Sequence, residues 1–158
     1  MTSVTLKVEV PSKLPAERVF KVFSDFDNIA PKVKPEFFKS IETLQGNGDV
    51  GTIKKVTFGD AVQFTSGKYK VDALDISNYS FGYSFIEGDN LMGILDSINI
   101  HVKVVPSANG GSMFKQTIIY NCKGAEKPSE DILKKEKEGY ENTYKTIEAY
   151  AIAHPETY

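Results

Sequence analysis

The stretch SEDILKKEKEGYENTYKTIEAYAIA, Ser129 to Ala153, decides the reading of the chain, because no other segment can run helical for so long. Ser129 suits an N-cap, and Glu130 and Asp131 put negative charge on the first turn, where unpaired N–H groups and the macrodipole favour it. Ile132, Leu133, Tyr140, Tyr144, Ile147 and Ala151 recur at steps of three, four or seven and form one stripe, while most of the lysines and glutamates fall elsewhere. About 25 residues at 1.5 Å each give roughly 37 Å, enough to cross a domain of this size. His154 and Pro155 stop the helix.

Two residues interrupt the stripe. Gly139 costs about 1 kcal/mol relative to alanine and leaves no side chain in mid-surface. Glu136 sets a carboxylate one turn from both Leu133 and Tyr140. Two explanations stand side by side: a helix with slightly loose packing, or a helix that roofs a space not completely filled.

Outward from the helix, the chain reads as strands. Val4, Leu6, Val8 and Val10 alternate with Thr5, Lys7 and Glu9, with Pro11 and Ser12 expected to end this first strand. A short helix is expected over Pro15–Phe23 and a second near Asp25–Ala30, limited by Pro31 and Pro35. Six further strands follow, at Lys39–Gln45, Thr52–Phe58, Gln63–Leu74, Tyr79–Glu87, Asp96–Val105 and Ser112–Cys122, separated by turns such as Ser77-Asn78 and Asn109-Gly110-Gly111. The order predicts an α+β fold: a seven-stranded antiparallel sheet curled around the long C-terminal helix, with two short helices after strand one.

Alternation assigns faces. Lys54 is expected inward with Val56 and Phe58; Phe81, Tyr83 and Phe85 make an aromatic row. Ile98, Ile100 and Val102 share a face, as do Phe114, Gln116, Ile118 and Tyr120. The inner face is therefore apolar, with Lys54, Gln116 and the hydroxyls of Tyr83 and Tyr120 dispersed on it. Ligand pockets have that composition. A solid core whose tyrosine hydroxyls reach water or one another has it too, and both readings are open at this point.

The 158 residues, 41% hydrophobic and 25% charged, suit one soluble domain. A net charge of −2 sets up no overall field to attract duplex nucleic acid. The single cysteine, Cys122, excludes an internal disulfide, and Met1–Val10 alternates instead of forming a signal peptide's apolar core, so a cytoplasmic setting is expected. No apolar run approaches the about 18 residues of a membrane span. The glycine-rich loop Gly46-Asn47-Gly48-Asp49-Val50-Gly51 lacks both the lysine after its last glycine and the following helix of a phosphate-binding loop, and reads as a rigid hairpin connection.

The stretches Gly46–Lys55, Ile86-Glu87-Gly88-Asp89, Lys123-Gly124, and Glu148-Ala149-Tyr150 with His154-Pro155 resemble, in order and spacing, the plant pathogenesis-related class ten family, that of the major birch pollen allergen. The resemblance runs over essentially the whole chain. It implies a START-like fold with a large internal cavity and a protein of plant defence that binds, stores or transports amphipathic small molecules such as flavonoids, cytokinin-like hormones, sterols or alkaloids. The ligand-binding set expected on this basis takes Phe23, Asn28 and Phe38 from the short-helix region. To these it adds Lys54, Val56, Phe58, Phe81, Tyr83, Phe85, Ile98, Ile100, Val102, Phe114, Gln116 and Ile118 from the sheet, and Glu136, Gly139, Tyr140 and Thr143 from the long helix. The segment Phe23–Phe38 is expected to act as a gate. No cofactor or metal is expected, and a monomer with at most weak dimerisation.

Three other activities follow from relatives. Ribonuclease activity, attributed to members of the family, would fall on Lys54, Asp96, Glu148 and Tyr150. Glu148 and Tyr150 point about 200° apart on the helix, however, and a role for Glu148 in anchoring it is the competing explanation. The resemblance to norcoclaurine synthase places Gly67, Tyr69, Phe81 and Ile100 where that enzyme uses tyrosine, glutamate, lysine and aspartate, so none of the four matches. A receptor role, with a protein phosphatase as partner, finds no gate or latch sequence here.

Overall fold

The computed structural model describes residues 2–158. Its elements run β1 (Ser3–Ser12), α1 (Ala16–Ser24), α2 (Phe26–Val33), β2 (Phe38–Gln45), β3 (Ile53–Phe58), β4 (Ser66–Asp75), β5 (Ser80–Gly88), β6 (Leu95–Pro106), β7 (Ser112–Cys122) and α3 (Glu130–Ala153). All seven strands pair antiparallel in one sheet of order β1-β7-β6-β5-β4-β3-β2. Register shifts interrupt the β2–β3, β4–β5 and β6–β7 ladders, and such bulges bend strands and strengthen twist, which curls the sheet toward α3.

Helix α3 begins as its sequence indicates, with the Ser129 hydroxyl accepting from Ile132 N at 3.2 Å. Its fully buried residues are confined to the C-terminal half: Tyr144, Ile147 and Ala151. There Phe23 of α1 and Phe114 of β7 lie with ring centroids 5.6 and 4.4 Å from that of Tyr144, forming a solid junction of helix, sheet and α1. Along the N-terminal half, Ile132, Leu133, Glu136 and Tyr140 stay only partly covered. Packed at one end and unfilled at the other, α3 is the roof rather than a loosely packed core helix.

The convex face carries polar groups that satisfy one another. Asn121 Nδ2 donates to Asn99 Oδ1 at 2.6 Å, Asn99 Nδ2 to Ser84 Oγ at 2.7 Å, and Ser84 in turn to Asp72. That chain of bonds ties β4 through β7 on the side away from the helix.

Beyond shifts of a single residue at several ends, four boundaries differ from expectation for a physical reason. Strand β1 continues through Pro11 and Ser12, because it is an edge strand and an edge tolerates a missing N–H. Pro31 lies inside α2 instead of ending it; burial of Ile29 and Ala30 and the 2.8 Å bond from Lys34 N to the Ala30 carbonyl hold the last turn. Residues Gln63–Thr65 precede β4, since the Asp89 carboxylate takes the N–H groups of Thr65 and Ser66 at 2.8–3.1 Å and bends the chain out of the ladder. Tyr79 precedes β5 in a left-handed conformation, φ 53°, closing a tight turn over Ile76–Asn78.

A clasp joins the last residues to the short helices. Arg18 donates through Nε to the Tyr158 carbonyl at 2.5 Å and through Nη2 to the Ala151 carbonyl at 3.1 Å, while the Tyr158 hydroxyl donates to Asp25. That hydroxyl, and then the Asn28 amide, holds the Asp25 carboxyl below its ordinary value of 3.8. A carboxyl depressed in the folded state contributes stability above its unfolded pKa, and the contribution is lost as pH falls through the folded one. Tyr158→Phe is therefore expected to be less stable than the parent at about pH 6, with the gap shrinking below about pH 4. Carboxyl titration by NMR checks it: Asp25 should return toward the ordinary range in the variant, and an unmoved titration would contradict the clasp.

Candidate functional site

Between the curled sheet and the N-terminal half of α3 lies a cavity of about 1030 Å³. Strand register arranges its floor. Lys54, Tyr69, Phe85 and Ile98, with fully buried Tyr120 beyond them, stand opposite one another on five successive strands, giving one transverse row; Phe81, Val102 and Gln116 form a second, four residues along. Tyr83 stands between the rows, its ring 5.0 Å from Tyr69 and 6.0 Å from Phe85. Exposed Lys135, Glu138 and Asn142 of α3, and Ala61 and Gln63 of the β3–β4 loop, also line it, so the cavity opens to solvent beside the helix.

Gly139 is part of that opening. A Cβ placed on it would meet nothing nearer than Phe37 Cε2 at 3.8 Å. The mouth is thus narrowed from one side by the Phe37 ring and left open from the other by the missing side chain.

Several polar groups interrupt the apolar wall. Lys54 Nζ lies 2.5 Å from Asp27 Oδ2, with side chains 17% and 31% exposed, and the Tyr69 hydroxyl reaches Asp27 Oδ1 at 3.5 Å. Burial, and then the Asp27 charge, push the Tyr69 phenol far above its ordinary range. Glu136 enters from the roof and accepts a 3.0 Å bond from the Tyr120 hydroxyl. Burial raises its carboxyl, and the Tyr120 bond only partly reverses the effect. Gln116, 7% exposed, supplies an amide to the floor. Asn90 also lines the cavity, yet its Oδ1 is buried and accepts no bond among the described residues.

Most of the residues singled out from the sequence come together here. Phe23, Phe38, Lys54, Val56, Phe58, Phe81, Tyr83, Phe85, Ile98 and Val102 line the cavity, as do Phe114, Gln116, Glu136, Gly139, Tyr140 and Thr143. Asn28 does not: it is exposed and bonds to Asp25 at 2.6 Å, because its turn of α2 faces out. Ile100 and Ile118 do not border the hollow either; both are sealed within the core. Tyr69, named only in the comparison with norcoclaurine synthase, and Asp27 are missing from the expected ligand-binding set; Lys54 and Asp27 are 27 residues apart and only tertiary packing pairs them. Period-two alternation along Gly67, Tyr69 and Val71 was the available signal for Tyr69.

In the glycine-rich loop, Gly46, Gly48 and Gly51 take φ of 99°, 101° and 93°. Buried Thr52 accepts from Gly48 N at 2.9 Å, and a Cβ on Gly46 would come within 2.7 Å of Thr52 Oγ1. Asn47 and Asp49 accept from backbone N–H groups within the loop, and Val50 is exposed. The loop folds onto itself and leads into a strand.

Lys54, Asp96, Glu148 and Tyr150 share no bond. Lys54 is engaged by Asp27 and Asp96 is exposed at the start of β6. Tyr150 stacks on His154, with ring centroids 4.1 Å apart. Glu148 Oε2 accepts from Ser12 Oγ at 2.5 Å and from the Tyr144 hydroxyl at 3.0 Å, fastening α3 to β1. Glu148→Ala is expected to cost about 2 kcal/mol, a fall in Tm of roughly 4–8 °C. Thermal unfolding by circular dichroism checks this, and an unchanged Tm would remove the anchor.

A seven-stranded sheet gripping a long helix over a solvent-connected hollow defines a helix-grip, START-like ligand-cavity protein. The model of the pathogenesis-related protein Bet v 1 family matches residues 1–154, and the chain belongs to that family. A root allergen protein of Taraxacum officinale is 50% identical over 149 residues, 94% of this chain and 95% of the relative. Pathogenesis-related protein 2 of Petroselinum crispum is 45% identical over 159 residues, covering all of both chains. Among solved structures, Ara h 8.0201 superimposes with a TM-score of 0.83 at 30% identity, over 96% of this chain and 99% of that one. No helix among the described residues is long and apolar enough to cross a membrane.

Proposed function

We propose that residues 1–158 act as one domain that binds, stores or carries amphipathic small molecules in the cavity without transforming them, in the cytoplasm and as a monomer, as part of plant defence. Flavonoids, cytokinin-like purines, sterols and alkaloids all have the required form, a flat apolar frame with a few polar atoms. One observation carries the reading: a hollow of about 1030 Å³ walled by aromatic and aliphatic side chains. Ligand sites are concave and mostly apolar, with few directional polar groups, and this volume lies at the upper end of their range.

Affinity follows from the area covered. A bicyclic guest that removes about 400 Å² of apolar surface from water, counting guest and wall, gains roughly 10 kcal/mol. Lost freedom of motion subtracts at least about 4 kcal/mol. The remainder corresponds to a Kd on the order of tens of micromolar. Lys54, Tyr83 and Gln116 orient the guest, and the Phe23–Phe38 segment, with Phe37 at the mouth, serves as the gate.

Native mass spectrometry of protein taken from its own tissue tests the proposal. A small-molecule adduct that leaves on collisional activation supports it. Protein that emerges bare, and that shows no saturable binding of the neutral probe N-phenyl-1-naphthylamine, refutes it.

A further inference from the structure

The charges on the cavity wall do not balance in its interior. Lys54 and Asp27 cancel each other in one ion pair. Glu17, Lys21, Lys135 and Glu138 sit on exposed rims, two of each sign. Glu136 alone points a carboxyl inward with no lysine, arginine or histidine in ion-pairing range among the described residues. Its Oε1 takes the Tyr120 hydroxyl at 3.0 Å, and its Oε2 accepts no bond from a protein group among those residues.

The surroundings of Glu136 are aromatic. Tyr120, fully buried on β7, holds it through the hydroxyl, and Tyr140 follows one turn later on the same face of α3. Tyr140, like Glu136, lines the cavity, and burial pushes its phenol well above the ordinary range. An unpaired carboxyl in a hollow lined by Tyr140 and Tyr83 is what recognises an ammonium ion: the ammonium supplies the missing counter-charge, donates to the free oxygen and rests against the aromatic wall. A neutral donor satisfies the oxygen but leaves the charge uncompensated.

From this geometry we infer that the Glu136–Tyr120–Tyr140 corner selects guests bearing one protonated amine on an aromatic frame. The inference rests on the carrier reading above and narrows it to a ligand class. It also orients the guest. Tyr120 and Lys54 end the same transverse row, four strand spacings or roughly 19 Å apart along the sheet and less across its curl. Lys54 spends one of its three donors on Asp27, so oxygen atoms at the far end of the guest face the remaining two.

Three probes on one frame test it: 2-(2-naphthyl)ethylamine, 2-(2-naphthyl)ethanol and 3-(2-naphthyl)propionate, titrated calorimetrically at neutral pH against the parent protein and Glu136→Gln. The expected order in the parent is amine, alcohol, carboxylate, with the amine at least tenfold tighter than the carboxylate. Glu136→Gln is expected to shrink the amine-to-alcohol preference at least fivefold. Equal affinities in the parent, a measurement that needs no variant, or a preference that survives Glu136→Gln, overturns the inference. Saturable binding of the alcohol upholds the carrier reading in either case. Failure of all three probes to bind overturns both.

Discussion

Replacing Gly139 with leucine is expected to make the protein more stable and a worse binder at once. Glycine in a helix interior costs about 0.8–1 kcal/mol relative to good helix formers, so the variant should melt roughly 2–4 °C higher. Ordinarily a new side chain on a buried stripe would overpack. Here a Cβ meets only Phe37 Cε2, at 3.8 Å, and the rest of the leucine projects into the hollow. It takes space a guest would use and closes the gap opposite Phe37, so binding of N-phenyl-1-naphthylamine should weaken at least tenfold. Opposite movement of Tm and affinity is the signature. Unchanged affinity would mean that α3 does not roof the binding space.

The second large effect separates the solid end of the fold from its hollow end. Phe114 is 1% exposed, its ring 4.4 Å from Tyr144 and 4.9 Å from Phe23, and Phe114→Ala is expected to cost the 3–5 kcal/mol of a deleted core ring. That is a large share of the 5–15 kcal/mol that holds a typical domain folded. Phe81 borders the cavity as Phe114 does, but it is only partly buried and its ring neighbours Phe20 and Tyr83 stand 6.2 and 6.3 Å away. Part of its surface is therefore already without packing partners, and Phe81→Ala should cost under about 2 kcal/mol by the same reasoning. Urea unfolding of the two variants measures the contrast. Equal costs would show that the interior is packed uniformly.

What could be read from the sequence was what repeats locally. Alternation in Val4–Val10 and Ser112–Cys122, the Ser129 cap and the His154-Pro155 stop gave the sheet, the roof and their order. The lone glycine and glutamate in the α3 stripe marked where the roof fails to fill. Other features depend on partners distant in the chain. Asp27 becomes a cavity residue only because α2 packs against β2 and α3 and brings its carboxylate to Lys54 of β3, and Tyr120 meets Glu136 across 16 residues. Pro31 could remain helical because the buried residues before it hold α2 down. Asn28, Ile100 and Ile118 share the right region or alternation with true lining residues, but pattern alone does not tell a sealed position from one that borders a hollow.

Mapping backbone amide shifts by NMR during titration with 2-(2-naphthyl)ethanol tests the central claim most directly. The account predicts saturating shifts gathered on Phe37, Lys54, Tyr83, Gln116, Gly139 and Tyr140, with the convex-face residues Asp72, Asn99 and Asn121 unmoved. Shifts spread over that convex face, or growing without saturation and sparing Gly139, would contradict it.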